Sequence, residues 1–142
     1  MKNKLLLLVS LFALTTSCSH ELEKVIVETY PGGSPELEQY FMVKGETRTL
    51  VKEIGYYPEG QKRIEGNYLQ DKRTGRWTYW YENGNKWSEA EYVAEIRHGK
   101  SIVWHENGKK YYEGNYMNGE RAGEWQFWDE EGNLTKEIDY NE

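Results

Sequence analysis

Between residues 77 and 92 two runs rich in aromatic residues, with polar residues interspersed, flank the pair Asn83-Gly84. Side chains on a strand point alternately to opposite faces, so each run predicts a β-strand. Asn-Gly between two such runs predicts a tight hairpin turn, because both residues tolerate positive φ. The pattern recurs: the turn glycine returns as Gly60, Gly84, Gly108 and Gly132, each 24 residues after the last. A fixed period of this length marks a repeat protein.

Alignment on the turn glycine exposes the rest of the unit. Five residues on stands a glutamate (Glu38, Glu65, Glu89, Glu113, Glu137), and eight on an aromatic (Phe41, Tyr68, Tyr92, Tyr116, Tyr140). Between them Gly66, Ala90 and Gly114 keep one position small, which predicts room for a ring from the facing strand. Gly75, Gly99 and Gly123 are expected to close the connecting loops. Two residues beyond them come Trp77, Ser101 and Trp125, and four before each turn glycine stand Tyr56, Trp80, Trp104 and Trp128. A degenerate first unit turns at Tyr30-Pro31-Gly32-Gly33; Gly33 lies 27 residues before Gly60, so three residues are inserted, most simply within 46–54.

A lone hairpin is marginal in water, so the hairpins must stack edge to edge. The predicted fold is all-β, an elongated single-layer antiparallel sheet of stacked hairpins across residues 30–142, about five units with the first degenerate. The last strand would be an exposed edge, guarded by the charges of Glu137, Asp139 and Glu142. A two-residue loop at Asn83-Gly84 sets Trp77 opposite Ala90, Thr78 opposite Glu89 and Trp80 opposite Trp87. One face then carries Trp77, Tyr79, Tyr81, Ser88, Ala90 and Tyr92; the other carries Trp80, Trp87, Glu89 and Glu91. The second face is the candidate binding face, with Trp80, Trp87, Glu89, Trp104, Tyr111, Glu113 and Trp128. Its rings either meet a partner or pack against one another across strands.

Composition adds location. Lys2 and Lys4 precede a short apolar run, residues 5–14, and then the small residues Thr15, Thr16 and Ser17 before Cys18. Such a run fits a secretory leader and is too short to span a bilayer. Residues 1–17 are therefore expected to be a signal peptide, and 18–29 a tether with a first strand. Cys18 is the single cysteine, which excludes internal disulfides. The stretch Leu14-Thr15-Thr16-Ser17-Cys18 resembles a bacterial lipobox, which implies lipid attachment at Cys18 and a place in the cell envelope. Ser19 after the cysteine is similar to lipoproteins sent to an outer membrane. The formal net charge is −6, and loss of the two leader lysines makes it −8. A surface of that sign repels phosphate backbones, so no nucleic-acid partner is expected.

No catalytic chemistry is proposed on the glutamate column. Acid–base hydrolysis needs two carboxylates in different surroundings, whereas repeat positions give like surroundings. His20, His98 and His105 lack metal-ligand spacing, and Ser88 and Ser101 are departures from the repeat and not nucleophiles. Neither cofactor nor metal is expected, and the chain reads as a non-enzyme.

The segment Tyr112-Glu113-Gly114-Asn115-Tyr116, followed by Gly119 and Gly123, resembles a MORN repeat. Ile64-Glu65-Gly66-Asn67-Tyr68 and Ser88-Glu89-Ala90-Glu91-Tyr92 follow it less closely. The longer unit with an Asn-Gly hairpin is similar to the YwqK-type antitoxin family. The resemblance implies a repeat scaffold, and three roles stay open. The first is a membrane-anchored scaffold that binds another protein through one sheet face. The second is an antitoxin or immunity protein that caps a basic toxin, and the third is a glycan binder that stacks sugars on tryptophan.

Overall fold

The computed structural model describes residues 21–141. The leader, Cys18, His20 and Glu142 lie outside the described residues. The described residues fold into one open antiparallel sheet whose ten strands pair in sequence order. They are β1 (Glu21–Thr29), β2 (Pro35–Lys44), β3 (Thr47–Tyr56), β4 (Lys62–Leu69), β5 (Lys72–Trp80), β6 (Lys86–Val93), β7 (Ile96–Trp104), β8 (Lys110–Met117), β9 (Glu120–Trp128) and β10 (Leu134–Asp139). This is the all-β, single-layer meander that the repeat predicts. Among the described residues no helix is long and apolar enough to cross a membrane.

Two kinds of turn alternate along it; the first lies at the predicted turn glycines but is one residue longer than expected, and the second lies away from the glycines expected to close it. The Asn-Gly site is a three-residue loop. The Tyr81 amide donates to the Asn85 carbonyl (2.9 Å) and the Gly84 amide to the Tyr81 carbonyl (3.0 Å). Gly84 alone in that loop has positive φ (86°), which makes the loop a type I turn closed by a left-handed glycine. The same pair of bonds recurs at Tyr30, Tyr57, His105 and Asp129. The two-residue turns with both φ values positive lie at the opposite rim, at Gln70-Asp71, Ala94-Glu95 and Asn118-Gly119. Gly75, Gly99 and Gly123 close no loop. They sit inside β5, β7 and β9 at positive φ, where the register slips. The three extra residues of the first unit are spread over both arms, since β2 and β3 have 10 residues each where β4 and β5 have 8 and 9.

A single layer has no second sheet to bury its apolar face, so the core is made of rings laid flat on the sheet. At the slip between β4 and β5, residues 75–77 face the single residue Gly66, and Trp77 lies down over it. A methyl on Gly66 would overlap the indole, at 2.6 Å from Cε3 and closer to Cδ2 and Cε2. Trp125 covers Gly114 in the same way. Trp77 is 2% exposed and Trp125 is fully buried. Each indole N–H donates to the carbonyl of the next residue, Asn67 or Asn115, at 3.2 Å. The predicted role of the small position is therefore correct.

The loop rim is stitched from unit to unit. The hydroxyls of Tyr30, Tyr57 and Tyr81 donate to the carbonyls of Tyr56 (2.8 Å), Trp80 (2.7 Å) and Trp104 (2.9 Å). His105 takes the fourth place, with Nε2 3.0 Å from the Trp128 carbonyl. A carbonyl only accepts, so Nε2 carries the proton here.

Candidate functional site

The glutamate column forms one straight row across the sheet. Glu38, Ile54, Glu65, Thr78, Glu89, Ile102, Glu113, Gln126 and Glu137 are successive cross-strand partners. Neutral residues thus separate the carboxylates by two strand spacings, about 10 Å. The three middle glutamates are each held between two cations. Glu65 meets Lys62 (2.6 Å) and Lys52, Glu89 meets Lys86 (2.7 Å) and Arg76 (3.3 Å), and Glu113 meets Lys110 (2.6 Å) and Lys100 (3.6 Å). The first cation of each pair also lies over the next tryptophan: Lys62 is 5.9 Å from the Trp80 ring, Lys86 5.6 Å from Trp104 and Lys110 5.3 Å from Trp128. Burial raises the Glu65 carboxyl, but hydrogen bonds from Lys52 and Lys62 outweigh it and hold the group below its usual range. Glu113 is lowered mainly by Lys110.

Glu38 has different surroundings from the rest of the row. It is 5% exposed, and it accepts from Lys24 (3.1 Å), Tyr40 (2.9 Å) and Tyr56 (3.0 Å). Burial alone would raise its pKa, yet these three donors bring it below the ordinary value. The Tyr56 phenol is pushed up to about 12, by burial first and then by its bond to Glu38.

The candidate face splits in two. Trp80, Glu89, Trp104, Glu113 and Trp128 lie on the face just described, but Trp87 and Tyr111 do not. Trp80 pairs with Lys86 and not with Trp87, because the register slips between Tyr79 and Trp80. Trp77 opposite Ala90 and Thr78 opposite Glu89 hold as predicted. The slip carries Trp87 to the opposite face, where it meets Tyr79 edge-on (5.9 Å) and Tyr81 (6.2 Å). Tyr111, its counterpart 24 residues later, packs on His105 (5.0 Å) and Tyr112 (5.5 Å). Trp87 and Tyr111 are 48% and 46% exposed, whereas Trp80, Trp104 and Trp128 are half-buried beneath lysines.

The ring-bearing face also holds a cavity of about 440 Å³ between the two buried indoles. Its floor is Ala90 and Ser101, and Tyr79, Trp87, Tyr92, Arg97 and Tyr112 are among its walls. Burial pushes the Tyr79 and Tyr112 phenols above their ordinary values, so they stay neutral hydrogen-bonding groups at physiological pH. Among the described residues no group of three or more acidic, histidine or cysteine side chains is placed to hold a metal ion.

Four segments, residues 51–70, 73–94, 97–118 and 121–142, match the family model described as MORN repeat variant. The chain belongs to the MORN repeat variant family. A search of curated proteins returned no match to the chain. The MORN segments break at the two-residue turns, so one MORN unit is a hairpin such as β5–β6 with the three-residue loop at its centre. The protein is therefore a MORN repeat scaffold. Sequence reasoning did not find the cavity, although two signals for it were present. Ser101 replaces the tryptophan of the flanking MORN units, and Arg73, Arg97 and Arg121 recur at the unit period.

Proposed function

We propose that this MORN scaffold binds another protein through the ring-bearing face of its sheet, held at a membrane by lipid on Cys18. The supporting observation is the pair of exposed rings, Trp87 and Tyr111, on a face that no second layer covers among the described residues. Exposed aromatic anchors beside a concave site are what partner proteins commonly engage. The opposite face is less suited to this role, because its tryptophans and carboxylates already have lysine and arginine partners. No catalysis is proposed. The leader supports an envelope location, and Ser19 supports the outer membrane where the envelope has two membranes.

The test is alanine at Trp87 and Tyr111 together. Recovery of a defined partner from native envelopes falls at least tenfold while the melting temperature stays within a few degrees; unchanged recovery contradicts the reading. Cys18→Ala is expected to release the protein from the membrane fraction, and its retention there would refute the anchor.

A second reading is an immunity role against a toxin met in the envelope. The net charge of −6 favours a basic partner. Growth of a deletion strain beside toxin-bearing neighbours decides it, since undiminished survival excludes the role.

A further inference from the structure

We infer that the cavity on the ring-bearing face is a binding site for a planar aromatic group that carries a carboxylate. The fold itself shows what fills such a space. In two MORN units an indole lies there, Trp77 over Gly66 and Trp125 over Gly114. Tyr68 and Tyr116 meet these indoles edge-on at 5.2 and 5.1 Å, both at 87°. The guanidinium groups of Arg73 and Arg121 stand 5.6 and 4.6 Å from the same rings. In the unit between them Ser101 replaces the indole and Ala90 replaces the glycine. The edge and the cation are nevertheless kept, as Tyr92 and Arg97.

A ring entering from outside meets what the resident indoles meet. Its depth is set by the Ala90 methyl, so it rests higher than Trp77 does over Gly66. Edge-to-face contacts of this kind add about 0.5–1.5 kcal/mol beyond the area they bury. A volume of about 440 Å³ falls among those of small-molecule sites.

The carboxylate follows from Arg97. It donates to the hydroxyls of Tyr92 (3.3 Å) and Tyr116 (3.2 Å), and it forms no ion pair among the described residues. Arg73, on the other side of the cavity, is paired with Glu95 at 2.7 Å. One wall thus carries an unneutralised guanidinium, whose planar fork suits a carboxylate. Two sources offer this chemistry: a free aromatic acid, and a polypeptide that ends in tryptophan. The site does not depend on the protein-partner reading, so crosslinking or recovery experiments on Trp87 can fail while it holds.

The test is titration of the purified full chain with indole-3-acetate, neutral 3-methylindole and a short peptide ending in tryptophan. The expected result is saturable binding with amide NMR shifts centred on Ala90 and Ser101. Ser101→Trp with Ala90→Gly lets the chain fill its own cavity and weakens indole-3-acetate at least tenfold. Arg97→Gln weakens indole-3-acetate about tenfold and 3-methylindole hardly at all, as loss of a charge-assisted contact requires. Tighter binding of the peptide assigns the site to a chain terminus, and tighter binding of indole-3-acetate assigns it to a free acid. No binding of any probe by the wild-type chain, undiminished binding by the filled variant, or shifts centred elsewhere overturns the proposal. Should the filled variant not fold, the wild-type shift map decides alone.

Discussion

Gly114→Ala isolates the interaction that gives this single-layer sheet a core. The new methyl would stand 2.6 Å from Trp125 Cγ and closer still to Cδ2 and Cε2, so the indole must lift by more than an ångström. Lifting breaks the 3.2 Å bond to the Asn115 carbonyl and loosens the edge contact with Tyr116. Overpacking costs about 1–3 kcal/mol and a lost hydrogen bond about 1, so a loss of about 2–4 kcal/mol is expected. Trp125→Ser alone removes a fully buried ring and should cost about 3–5 kcal/mol. Together the two substitutions recreate the Ala90 and Ser101 pair of the middle unit. With the indole gone the three atoms nearest the methyl are removed, and alanine in a strand is favoured over glycine by about 0.5–1 kcal/mol. The double variant should therefore be no less stable than Trp125→Ser, and the coupling should approach 3 kcal/mol. Urea unfolding of the four proteins, followed by tryptophan fluorescence and circular dichroism, measures it. Additivity within about 0.5 kcal/mol would refute the claim that the glycine is there for the ring.

Two further outcomes follow from the carboxylate row and the turns. The Glu38 pKa is lowered in the fold, so its contribution is full above the unfolded value near 4.3 and is lost as pH falls through the folded value. Glu38→Gln should cost about 1–3 kcal/mol at pH 7 and shallow the acid limb of stability against pH; an unchanged limb would contradict the assignment. Gln70 and Asp71 both hold positive φ without being glycine, so replacing the pair by Asn-Gly should raise stability by about 1 kcal/mol, read as a higher urea midpoint. A lower midpoint would mean that the turn geometry is misassigned.

The repeat period carried most of the fold because every unit repeats its strand lengths and its small, ring and turn positions together. The register was legible only up to Tyr79. Asn-Gly serves a two-residue loop and a three-residue loop with a left-handed glycine equally well, and the choice shifts the register by one residue. That residue is Trp87, which is why it and Tyr111 were placed on the wrong face. Of the true two-residue turns, Asn118-Gly119 does carry the Asn-Gly signal, whereas Ala94-Glu95 carries none, and cross-strand pairing forces its backbone. The lysines over Trp80, Trp104 and Trp128 recur in sequence at the unit period, but their contact depends on the same slip, which turns Lys86 to the face where it lies over Trp104. The cavity was illegible for a simpler reason: Ser101 read alone is an unremarkable polar residue, and only Trp77 and Trp125 in place show what it leaves empty.

Site-specific photocrosslinking in native envelopes tests the central claim most directly. A benzophenone amino acid at position 87 or 111 is expected to give one discrete adduct with a partner protein, and the same probe at position 80 or 104 none. Adducts from positions 80 and 104 with none from 87 and 111 would contradict the assignment of the ring-bearing face as the binding surface.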